Sequence, residues 1–193
     1  LAALLDLGDP RFSLATLEEL SRALVGGEAR LSASPAERGG LRGTRLEVHT
    51  PESLQAPHRH IADLLALLER APLREAARRR AAAVLWRIAE AEATVHGIPP
   101  AEVHFHEVGA VDTLIDVAGA ALALERLGVE RVHATPPLVG SGTVTSAHGV
   151  LPVPAPATAI LLSDLPHRLG GEGERLTPTG AALLAELVDA FEP

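Results

Sequence analysis

The chain has 193 residues, an apolar fraction of 47 % and a net charge of −8. That length and apolar content build a core in one ordinary domain without covalent staples, and they exclude a disordered chain. There is no cysteine, which rules out disulfides, thiolate metal sites and cysteine catalysis, and the acidic balance argues against nucleic acid as the main partner.

Aromatic residues make up only 2 % of the chain, so the core must come from Leu, Val, Ile and Ala. All seventeen basic residues are Arg. The opening string Leu1 to Gly8 reads as the second half of a helix with a glycine stop, and with no initiating Met the natural N-terminus is expected upstream. Ser13 to Val25 carries Leu14, Leu17, Leu20 and Leu24 at helical spacing, ended by Gly26-Gly27. Residues 29–34 and 44–49 read as strands, with 37–43 as a glycine-bearing connection. Residues 50–60 are polar and read as a loop. Helices are expected over 61–70 and from about Leu73 to His96, before Gly97 and Pro99. A short strand is expected at 103–108 and a helix from Asp112 to Leu127. Residues 131–139 and 142–146 look extended, Pro152, Pro154 and Pro156 forbid a central strand, and helices close the chain at 156–163 and 180–190. The fold expected is α/β or α+β, a mixed short-strand sheet packed with about six helices in a single domain over 1–193. No apolar run approaches the roughly 18 residues that span a bilayer, so a cytoplasmic protein without membrane partners is expected.

Four groups of residues carry chemistry. In His104-Phe105-His106-Glu107, residues two apart on a strand share a face. His104 and His106 then close on one metal while Phe105 packs inward. Imidazole suits Ni, Zn, Cu or Fe, and Glu107 orients a ligand, serves as one, or moves a proton. Spacing alone weighs this evenly against two unrelated surface histidines. Asp112 and Asp116 lie four apart near a helix start, a metal-facing pair or ordinary acid placement at an N-terminus. His58 and His60 sit at a loop–helix junction suited to metal capture, or to plain capping. The strings around Ser141-Gly142, His148 and Thr177-Pro178-Thr179 offer N–H groups and hydroxyls to a phosphate, or simple turn chemistry. His49, His96, His133 and His167 belong to no constellation and read as structural or surface residues.

Read together, Val103 to Asp112, Asp116 with Gly119-Ala120, Gly140-Ser141-Gly142, His148 to Thr158 and Leu176 to Ala182 resemble the LarC family, the nickel-insertion proteins of nickel-pincer cofactor synthesis. The match runs over nearly the whole chain and is densest from 95 to 183. The resemblance implies a nickel chelatase, a metal-insertion lyase that places Ni²⁺ in pyridinium-3,5-bisthiocarboxylic acid mononucleotide, with CTP consumed. His104, His106 and Glu107 become the catalytic group, and His58, His60, His104, His106, Asp112 and Asp116 the metal-facing residues. Ser141, Gly142, His148, Thr177 and Thr179 then line the precursor. It also implies that the chain is the N-terminal part of a longer protein, lacking the family's first residues and its C-terminal domain, where CTP, its divalent cation and oligomer assembly belong. A nickel metallochaperone without bond-making, or a metal-dependent hydrolase using His104, His106 and Asp112, are the rival expectations.

Overall fold

A computed structural model describes residues 1–51, 59–105, 111–146 and 148–192. Among them are seven α-helices and eight short strands, and the strands pair only two by two. The α/β character stands; the mixed sheet is realised as four separate two-stranded ladders. The chain divides into two compact units, one of residues 1–56, 65–81 and 110–130, the other of 57–64, 82–109 and 131–193.

In the first unit, α1 (Ala2–Asp6) ends before Gly8, which takes φ 65. Helix α2 (Leu14–Val25) opens on a capping box: Ser13 Oγ accepts from Thr16 N and Thr16 Oγ1 accepts from Ser13 N. It stops at Gly26, whose left-handed φ of 77 lets its N–H reach Arg22 O. Its leucine stripe buries Leu17, Leu20 and Leu24 completely. The strands β1 (Arg30–Arg38) and β2 (Leu41–His49) form one antiparallel hairpin, Arg30 opposite His49 and Arg38 opposite Leu41. The expected seven-residue connection at 37–43 shrinks to the turn Gly39-Gly40, both at positive φ, a two-residue loop only glycines enter without strain. Helix α5 (Val111–Leu127) packs against α2. Gly119 sits at that contact, where an added Cβ would stand 3.0 Å from Leu17 Cδ2.

Helices α3 (Ile61–Leu68) and α4 (Glu75–His96) contribute residues to both units. In the second unit, a 3-10 turn at Pro100–Glu102 leads to Val103 and Phe105, both buried, with His104 between them exposed. The strand expected at 103–108 is reduced, within the described residues, to one antiparallel bridge of Phe105 with Arg59. Further on lie β3 (His133–Ala134), β4 (Gly140–Ser141), β5 (Thr143–Ser146), β6 (Gly149–Pro152), α6 (Pro156–Leu161), β7 (Gly173–Glu174), α7 (Pro178–Leu187) and β8 (Ala190–Phe191). The pairs are β3–β8, parallel, and β4–β7 and β5–β6, antiparallel. β6 ends on Pro152, which a two-stranded ladder tolerates because only one edge is used. Gly140 holds β4 against β7: a Cβ there would lie 2.0 Å from Gly173 O, at φ 100. No helix among the described residues is long and apolar enough to cross a membrane.

Candidate functional site

The bridge between Arg59 and Phe105 is made by Phe105 N donating to Arg59 O at 3.2 Å. An antiparallel bridge at that pair sets the next residues, His60 and His104, opposite each other. Their ring centroids are 4.3 Å apart with planes tilted by 47°. His60 is also held from below. Its N–H donates to Asp63 Oδ2 at 2.9 Å, and its carbonyl accepts from Asp63 N and Leu64 N, so it starts α3. His60 Nδ1 is buried without a hydrogen-bond partner among the described residues. A buried imidazole nitrogen without a partner is costly, and it is the atom a metal ion or a ligand donor would satisfy.

The pair geometry comes close to that of a shared ion. Two imidazoles bound at about 2.1 Å, through nitrogens about 1.1 Å from the ring centre, place their centroids on the order of 4.5 to 5.3 Å apart for bond angles of roughly 90 to 110°. At 4.3 Å the His60–His104 spacing falls just below that range, so a shared ion needs the two rings to part by a few tenths of an ångström. Among the described residues, no three His, Asp or Glu side chains converge as a ready-made metal site. His58, His106 and Glu107, the other members of the expected group, lie outside the described residues.

Asp112 and Asp116 fall in the first unit, on α5. They do share a helix face, as their spacing predicts. Burial pushes the Asp116 carboxyl above the usual carboxylate range, and the like charge of Asp112 adds to it. Asp112 Oδ1 accepts from Thr113 N at 2.8 Å in the first turn, which is helix-start chemistry.

The residues expected to line a precursor are all in the second unit. Ser141 Oγ donates to Gly171 O at 2.6 Å, and Gly142 O accepts from Val153 N at 2.9 Å. Thr177 caps α7, accepting from Gly180 N at 3.2 Å, and Thr179 lies in the same first turn. Their polar groups therefore serve the local fold as well as any ligand. His148 is set by its N–H donating to Ser146 Oγ at 3.0 Å. It lines a cavity of about 210 Å3 with Phe105, Leu151, Pro156, Pro178 and the end of α4.

The end of α4 adds a neighbour that spacing alone did not show. His96, read as structural or surface, lies beside His148 with ring centroids 5.2 Å apart, and Glu92 Oε2 is 3.5 Å from His96 Nε2. The i, i+4 spacing of Glu92 and His96 was visible in the sequence. The approach of His148, fifty-two residues further on, left no local signal.

Comparison with known proteins adds lineage to this geometry. A sequence-family profile described as nickel insertion protein matches residues 1–193. The pyridinium-3,5-bisthiocarboxylic acid mononucleotide nickel insertion protein of Akkermansia muciniphila is 48 % identical over 194 residues, covering 97 % of this chain and 47 % of its own length. A Geobacter metallireducens protein is 49 % identical, covering 98 % of this chain and 48 % of itself. A Myxococcus xanthus protein is 48 % identical, covering 100 % of this chain and 49 % of itself. The names of both also refer to nickel insertion. The chain spans about half the length of these curated relatives. No solved structure matches it.

Proposed function

Because the chain belongs to the nickel insertion protein family, we propose that it is the nickel-handling N-terminal part of a longer insertase whose acceptor is a pyridinium bis-thiocarboxylic acid mononucleotide. The observation that carries this reading is the His60–His104 pair, 4.3 Å between ring centres and fixed by the Arg59–Phe105 bridge. Nickel is the substrate here. Two neutral imidazoles take it from solution and leave coordination positions open for the acceptor's sulfurs. His58 is a further candidate ligand for the ion.

Insertion makes two nickel–sulfur bonds and one bond to a ring carbon. The carbon–hydrogen bond breaks and its proton leaves to a base, with no change in redox balance. In this reading His106 and Glu107 hold that proton. Phe105, buried at 4 % exposure, gives the ring an apolar wall, and the cavity it shares with His148 receives the pyridinium. Ser141, Gly142, Thr177 and Thr179 bracket the ribose phosphate, while Asp112 and Asp116 are a separate candidate pair on α5 of the first unit. The class is a metal-insertion lyase. CTP and its divalent cation belong to a C-terminal domain of the longer protein, together with self-association, and the cell compartment is the cytoplasm.

The test is product formation. Precursor, Ni²⁺ and CTP are incubated with the full-length protein carrying this sequence, and the nickelated mononucleotide is sought by mass spectrometry. The reading expects product with the unmodified protein and at least a tenfold lower yield with His60→Ala/His104→Ala. Equal yields from the two would remove the pair from the reaction.

A further inference from the structure

We infer that His96 and His148 form a second site for a divalent transition metal, at the rim of the cavity lined by Phe105, Leu151, Pro156 and Pro178, with Glu92 as the residue that positions His96. The ring centroids stand 5.2 Å apart with planes tilted by 51°. That spacing falls at the tetrahedral end of the range expected for two imidazoles on one ion bound at about 2.1 Å.

The carboxylate supplies the second argument. Glu92 Oε2 lies 3.5 Å from His96 Nε2, one helical turn earlier on α4, and the Glu92 side chain is only 19 % exposed. Histidines that ligate metals commonly give their other ring N–H to a carboxylate, which fixes the tautomer and raises ligand basicity. Here the Glu92 carboxylate faces Nε2 of His96, the place a positioning carboxylate takes beside a ligating imidazole. The sheltered negative charge also offsets the charge of a bound cation.

The two imidazoles come from elements far apart in sequence, each independently fixed. His96 is the last residue of α4. His148 stands between β5 and β6, whose ladder pairs Ser146 with Gly149, and its own N–H is tied to Ser146 Oγ. Two protein ligands leave the remaining coordination positions to water or to an incoming ligand. Beside them lies an apolar cavity of about 210 Å3, so the ligand class that completes the site is a flat, largely apolar ring bearing a sulfur or nitrogen donor. Phe105 lines this cavity and is the chain neighbour of His104. The two imidazole pairs therefore flank one residue. The inference rests on the nickel-handling reading for the identity of the cargo.

The experiment titrates the intact chain with Co²⁺ as a spectroscopic probe, following visible d–d absorption and the imidazole NMR signals. In the unmodified protein, Co²⁺ is expected to shift the ring signals of both His96 and His148. His96→Ala/His148→Ala is expected to bind one equivalent fewer, and Glu92→Gln to bind at that site about tenfold more weakly. Unmoved His96 and His148 signals at saturating Co²⁺ would overturn the inference without any variant having to fold. So would unchanged stoichiometry in the double variant. Response at His60 and His104 alone overturns this site and spares the proposed function. Response at His96 and His148 alone upholds this site and removes the pair on which the proposed function stands.

Discussion

In the first unit a twelve-residue helix, a seventeen-residue helix and a hairpin of two nine-residue strands do most of the building. In the second, beyond α4, no described strand exceeds four residues and the helices have six and ten. The first gets its order from periodic burial, the second from glycines, prolines and single hydrogen bonds such as Ser141 Oγ to Gly171 O. Both imidazole pairs lie in the second. Short, non-periodic segments can bring side chains from distant parts of a chain to one point, which long helices with a committed apolar face do less readily.

This contrast can be broken at its most rigid joint. Gly140→Ala places a Cβ 2.0 Å from the backbone oxygen of Gly173 at a φ of 100. The expected loss is more than about 4 kcal/mol, read by urea unfolding. Hydrogen exchange should show residues 131–192 unprotected while α2 and α5 amides stay protected. Uniform loss in both units would mean that they stand or fall together.

The complementary change acts on the periodic core. Leu20 is fully buried on α2, and Leu20→Ala should cost about 3 kcal/mol through lost burial and the cavity left behind. Metal binding by the second unit should survive it under conditions where the protein stays folded. A smaller effect is expected at Asp116. Its folded-state pKa is raised above 3.8, chiefly by burial, so the ionised form is penalised in the native state. The native protein then takes up this proton before the unfolded chain does, and the penalty present at neutral pH fades as pH falls toward 3.8. Asp116→Asn should therefore raise Tm at pH 7 and change it less at pH 4; an equal change at both would assign the effect to something other than charge.

The same contrast explains what the sequence made legible. The Ser13 cap, the leucine stripe of α2 and the glycine after it are local signals, and the helix lies where they put it. The hairpin runs further than its alternation shows because Glu37 to Gly43 is polar or glycine apart from Leu41, which is itself exposed. A two-stranded ribbon largely open to solvent needs no hydrophobic alternation, as the mostly exposed positions of β1 show. β6 was hidden by Pro152, and β3 with β8 exists only because residue 134 meets residue 191. Of the candidate site, His60 and His104 were each named from spacing, but their meeting depends on a bridge between residues 59 and 105. His96 was passed over because an acid and a histidine one turn apart at a helix end look like ordinary charge placement.

The central claim is that this chain takes up nickel through His60 and His104. Calorimetric titration of the intact chain with Ni²⁺, beside a His60→Ala/His104→Ala variant shown to be folded by circular dichroism, tests it most directly. The account predicts saturable binding by the unmodified chain and at least a tenfold weaker or missing component in the variant. Identical isotherms for the two would contradict it.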